Sequence, residues 1–182
     1  ASSLKLLNAE QLVFEDRLEE ASEILNELLV LEPMNAEVHA QQANLYSKMN
    51  KHHRAIELLQ YALTLTDDAS NIYALIAMEY LYVEDYTNAK NYFIRCLEQD
   101  PQDYTALQQL VFCYEVLGDV QEATSFLNHF IRISPKQSAN KKELLAPNQD
   151  IYLRENIRLR LQIAIIAVPR QQNELYKQSL EA

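Results

Sequence analysis

Apolar positions along the chain recur at helical spacing, in short blocks that come in pairs. In "NIYALIAMEYLYV" (71–83) they return every three or four residues. After "EDY" (84–86) they resume on one face of "TNAKNYFIRCLEQ" (87–99), which stops before Asp100-Pro101. This alternation predicts two amphipathic helices joined by a tight turn. The pair repeats with a fixed step of 34 residues. Ala21 leads to Ala55, Ala89 and Ala123, and Ala9 to Ala43, Ala77 and Val111. Leu12 leads to Tyr46, Tyr80 and Tyr114, Leu25 to Leu59, Phe93 and Leu127, and Pro33 to Asp67, Pro101 and Pro135. Five series holding phase over four copies define a repeat array.

The repeated types have packing reasons. Ala77 and Ala89 are placed on the facing sides of a helix pair, where a methyl lets two backbones approach. Tyr80 and Phe93 are placed to fill the space between neighbouring pairs. The prolines suit a helix's first turn and disfavour helix in the residue before, and Asp67 suits a helix start in their place. Gly118, the only glycine of the 182 residues, falls at the turn inside the fourth pair, where a left-handed residue is needed. Its counterparts Asp16 and Asn50 tolerate that conformation. Glu84 does not, which predicts a differently shaped turn there.

A 34-residue helix-turn-helix with Ala, Tyr, Ala, Phe or Leu, and Pro in this order resembles the tetratricopeptide repeat. The resemblance covers residues 2–137 as four units, 2–35, 36–69, 70–103 and 104–137, with a linker over 138–150 and capping helices over 151–182. The family's early aromatic place holds Lys5, His39, Tyr73 and Leu107, with no Trp in the chain. The resemblance implies an all-α, right-handed superhelical solenoid, with a concave surface lined by the first helix of each pair. On that surface helical geometry places Glu37, Gln41, Asn44 and Lys48 from the second unit, and Asn71, Leu75, Met78 and Tyr82 from the third. The fourth unit adds Thr105, Gln108, Gln109, Phe112 and Val116. Amides around a few apolar anchors suit a docked protein or peptide segment. The expected function is therefore a non-catalytic protein–protein interaction scaffold.

Chaperone-binding members of the family grip a terminal carboxylate with Lys, Arg and Asn. The matching places here hold Leu6, Glu10, Ala40, Asn44, Ala74, Leu75 and Met78. Only Asn44 fits, so that clamp is not expected, and the asparagine ladder of O-GlcNAc transferase arrays is missing too. After Pro135 the phase is lost. "IYLRENIRLRLQIAIIAV" (151–168) carries both a helical stripe (Leu153, Ile157, Leu161, Ile165) and a strand-like alternation (Ile157, Leu159, Leu161, Ile163), and an all-α context favours helix. The segment from Arg158 to Ala182 loosely resembles the linker between tetratricopeptide arrays and glycosyltransferase domains in bacterial proteins. A substrate-recruiting region of such an enzyme, or a small secretion chaperone, is thus the alternative function.

Composition narrows the chemistry. Residues 1–135 hold 8 basic and 21 acidic side chains, whereas 136–182 hold 8 basic and 5 acidic. The acidic body repels phosphate backbones, so no nucleic-acid partner is expected. The longest apolar run, "IAIIAV" (163–168), is far too short for a bilayer, and no signal peptide is evident; a cytoplasmic, bacterial protein is expected, without membrane association. One glycine precludes a glycine-rich phosphate loop, and no nucleophile motif occurs. Neither cofactor nor metal is expected, with His52 and His53 read as surface polar residues. Cys96 and Cys113 follow no metal or redox spacing and read as small buried hydrophobes. The exposed end repeats suggest homo-oligomerisation. A chain that opens Ala-Ser-Ser and stops in a helical-looking stretch is expected to be part of something longer.

Overall fold

A computed structural model describes residues 2–119, together with 121–126, 128, 129 and 159. These residues form α1 (Ser2–Phe14), α2 (Leu18–Leu31), α3 (Ala36–Lys48), α4 (His52–Leu63), α5 (Ser70–Tyr82), α6 (Tyr86–Gln99) and α7 (Tyr104–Leu117); 121–126 are helical as well. No strand occurs among the described residues. The chain divides into two units, Ala1–Asp100 and Pro101–Ala182. The expected linker and capping helices over 138–182 lie outside the described residues, apart from Leu159.

In the first unit α1 packs on α2, α3 on α4 and α5 on α6, while α2 also contacts α3 and α4 contacts α5. The alanine series explains how closely they approach: Ala9, Ala21, Ala55, Ala77 and Ala89 are wholly buried. One core joins Leu6, Leu12, Val13, Leu25 and Leu28 to Val38 and Leu45 of the next helix. A second joins Ala55, Ile56, Leu59 and Ala62 to Ile72 and Ile76. Each fully buried Leu or Ile contributes about 2 kcal/mol, so these inter-helix cores outweigh any local signal. Tyr80 stacks on Tyr92, ring centroids 5.6 Å apart, and Phe93 is buried. Cys96 and Cys113 are both fully buried.

The turns inside the pairs depart from expectation at one place. Asp16, Asn50 and Glu84 all have positive φ, at 63°, 59° and 60°, as does Gly118 at 68°. Glu84 therefore adopts the same turn as its counterparts. The reason is a shared hydrogen-bond pattern: Arg17 N–H donates to Leu12 O, Lys51 N–H to Tyr46 O and Asp85 N–H to Tyr80 O, each at 2.9 Å. These bonds satisfy carbonyls that the helix end orphans, and so hold an unfavourable residue left-handed.

Pro33 and Pro101 also sit differently. They occupy turns two residues beyond α2 and α6, not the first turn of a helix. The next helix starts instead at a side-chain cap, where Asn35 Oδ1 accepts from Glu37 N–H and Asp103 Oδ1 from Ala106 N–H, each at 3.0 Å. Asp67 caps nothing: α5 begins after Ala69, which makes no side-chain cap bond.

Candidate functional site

The first helix of each pair presents one outward row at spacing i, i+4, i+7, i+11. On α3 this row is Glu37, Gln41, Asn44 and Lys48; all are exposed except Gln41, which is half-buried. On α5 it is Asn71, Leu75, Met78 and Tyr82, with Leu75 38% and Tyr82 59% exposed and Met78 half-buried. Both rows belong to the first unit. Thr105, Gln108, Gln109 and Phe112 share one face of α7, in the second unit, where Phe112 is 40% exposed and Val116 47%. Exposed apolar side chains cost free energy in water, and rows of them are unusual on a water-facing surface.

Two members of this surface escaped the sequence reading. One step of 34 back from Gln41 and Lys48 lie Leu7 and Phe14, which are 62% and 80% exposed on α1. The periodicity itself would have found them. The outward rows thus run from apolar on α1, through polar on α3, to apolar again on α5.

The surface also contains a pair that spacing alone does not suggest. His52 is not a surface residue. Its Nδ1–H donates to Glu79 Oε2 at 2.8 Å, and the two side chains are only 17% and 10% exposed. The ring stacks on Tyr82 at 5.0 Å, with 18° between planes, and Ser47 Oγ lies 3.5 Å from the same nitrogen. Residues of α3, α4 and α5 therefore converge here. The counterparts of Glu79 are Gln11, Leu45 and Cys113, and the latter two are buried. A carboxylate among apolar counterparts was the available signal. His53, by contrast, is exposed.

The polar interior of the second repeat is equally local. His39 takes the family's early aromatic place, donates from Nε2 to Pro33 O at 2.8 Å and meets the Tyr61 ring edge-on. Gln42 is buried where Ile76 and Leu110 stand in other copies. In the second unit the Tyr114 hydroxyl is buried, has no hydrogen-bond partner among the described residues, and burial pushes its ionisation well above the ordinary tyrosine range. Among the described residues no group of three or more His, Cys, Asp and Glu is arranged to hold a metal. Nor, among them, is any helix long and apolar enough to cross a membrane.

Comparison with known proteins bears on the fold first. Two models described as tetratricopeptide repeat match residues 36–68 and 80–146. A third model, described as HemX, putative uroporphyrinogen-III C-methyltransferase, matches residues 115–182. That match covers the segment likened above to a glycosyltransferase linker. An uncharacterized protein of Haemophilus influenzae is 90% identical over 62 residues, which are 34% of this chain and 36% of that protein. The matched part is thus about a third of the relative's length.

Among solved structures, MamA superposes with a TM-score of 0.62 at 19% identity, covering 81% of this chain and 80% of its own. YrrB, described as a tetratricopeptide protein with an unusual peptide-binding site, gives 0.58 at 18% identity, covering 91% and 90%. The first tetratricopeptide domain of Spaghetti (RPAP3), bound to an HSP90 peptide, gives 0.58 at 17% identity, covering 64% and 92%. At such identities the likeness is one of fold.

Proposed function

We propose that this chain, an all-α member of the tetratricopeptide repeat family, is a protein-interaction scaffold that holds a partner segment against the outward rows of its first helices. The observation that carries the reading is the exposure of Leu7, Phe14, Leu75 and Tyr82 at corresponding repeat positions. Their polar neighbours on α3 supply amide and charged groups that would orient a bound backbone. Two similar folds are described as peptide-binding or peptide-bound, which supports the class of partner. It does not extend to the chaperone peptide, because the clamp positions hold Leu6, Glu10, Ala40 and Ala74 in place of cations.

The match over 115–182 raises a second reading, a role tied to methyl transfer. Within these 182 residues the scaffold reading is preferred, since a single glycine leaves no glycine-rich turn to cradle a nucleotide-like methyl donor.

The test is recovery of partners from a lysate by the parent and by Leu75→Asp, with helical content checked by circular dichroism. Leu75 is the cleaner target, because Tyr82 also stacks on His52. Loss of a defined set of proteins with helicity intact supports the scaffold; an identical set from both chains rules the rows out.

A further inference from the structure

The turn inside the second repeat carries charge that its counterparts do not. Lys48, Lys51 and Arg54, three of the 8 basic side chains of residues 1–135, fall close together there, beside His53. All four residues are exposed. Steps of 34 from Lys48 meet Phe14, Tyr82 and Val116, and steps from His53 meet Glu19, Thr87 and Gln121. An exposed position has no packing reason to leave the repeat pattern, so a cluster of departures has another cause.

Lys51 is also a poor choice for its own helix. In the third and fourth copies its place holds Asp85 and Asp119, which cap the helix that follows. Their carboxylates accept from Asn88 N–H and Glu122 N–H, each at 3.1 Å. Lys51 makes no side-chain cap on α4 and forgoes that stabilisation, while its charge opposes the helix dipole. Arg17 of the first copy makes no cap either, but Glu15 at 3.3 Å and Glu20 at 2.6 Å neutralise it. Around Lys51 the places of those two glutamates hold Met49 and Arg54. Arg54 pairs with Glu57 at 3.0 Å, whereas Lys48 and Lys51 meet no carboxylate among the described residues.

The cluster borders the outward rows. Lys48 ends the row of α3, and Tyr82 ends that of α5. Ser47 and His52, next in the chain to Lys48 and Lys51, lie 3.5 Å apart, and the His52 ring stacks on Tyr82. Of the acids on α5 and the turn after it, Glu79 is taken by His52 and Asp85 by Asn88, while Glu84 is exposed.

We infer that this turn receives side-chain carboxylates of the bound segment, whose apolar part lies along Leu75, Met78 and Tyr82. The inference rests on the scaffold reading and narrows its partner to a segment with Asp or Glu beside aliphatic or aromatic residues. With 21 acidic against 8 basic side chains over residues 1–135, most of the surface repels such a segment. The cluster therefore fixes where its charged end sits. Residues 136–182, with 8 basic against 5 acidic side chains, do not carry the complementary charge.

The probe is a phage library of random peptides of about 12 residues, long enough to span a row. Each peptide is fused through its C-terminus, so none offers a free terminal carboxylate. Peptides selected on the full chain should carry Asp or Glu beside apolar residues. Synthesised with amidated ends and a fluorescein label, they should bind about tenfold or more weakly to the double variant Lys48→Gln, Lys51→Asp. Raising salt from about 0.05 to 0.5 M should weaken binding to the parent severalfold, and Leu75→Asp should weaken it too. The double variant should melt no lower than the parent, because Lys51→Asp restores the cap of the other copies. Selected peptides that need Leu75 but lack carboxylates, or that bind the double variant as tightly as the parent, overturn the inference and leave the scaffold reading standing. No enriched peptide overturns both. Tighter binding of a labelled single-stranded RNA, lost in the double variant, also overturns the inference, since phosphate is then the ligand.

Discussion

His52 on α4 holds Glu79 on α5 at 2.8 Å, so a nearly buried carboxylate of the third repeat is satisfied by an imidazole of the second. Removing one partner strands the other. His52→Leu should cost about 2–3 kcal/mol in chemical denaturation. The double variant His52→Leu, Glu79→Leu, which reproduces the apolar choice at Leu18 and Leu45, should recover most of that loss. A double variant as unstable as the single would mean that the pair is not what joins the two helices there.

Glu84 holds φ at 60° without glycine's freedom. Glu84→Gly should therefore raise stability by about 1 kcal/mol, and Gly118→Ala should lower it by a similar amount. Urea midpoints at constant m-value decide both. If Glu84→Gly is destabilising, the entropy that glycine adds to the unfolded chain outweighs the strain relieved.

Tyr114 supplies a pH test. Burial disfavours its ionised form, so the folded state keeps the phenolic proton at pH values where the unfolded chain has lost it. Stability is fully present below the unfolded tyrosine value, about 10, and falls as pH rises above it. Tyr114→Phe should be within about 0.5 kcal/mol of the parent at neutral pH, because the hydroxyl makes no hydrogen bond among the described residues. It should also flatten the alkaline limb of a thermal-melt profile; an unchanged limb would mean that other groups govern it.

The match over 115–182 to a model described as a methyltransferase sets a fourth test. Calorimetric titration of the chain with S-adenosylmethionine should show no heat of binding. Saturable binding would transfer weight from scaffolding to catalysis.

The helices were legible because each one repeats: α5 and α6 begin one residue from the limits that periodicity alone sets. The alanine contacts were legible for the same reason, since a methyl at a fixed step has no role but close approach. What the sequence hid was of two kinds. The Glu84 turn is decided by the hydrogen bond from Asp85 N–H to Tyr80 O, a helix-end demand that overrides residue preference. The His52–Glu79 pair joins residues 27 apart, and neither is unusual on its own helix. Only lining up Leu45, Glu79 and Cys113 exposes the charge as foreign to its place. The outward rows were readable on α3, α5 and α7, and Leu7 and Phe14 needed one more backward step of the same period.

That foreign charge limits which repeats are interchangeable. A stack of equivalent units could lose or duplicate one 34-residue module and close up again, since neighbouring surfaces are alike. Deleting residues 36–69 would bring Glu79 against Leu18, the counterpart of His52, and leave a carboxylate buried beside a leucine. The seam between the second and third repeats is therefore keyed. Removing either of those two modules alone strands one member of the His52–Glu79 pair.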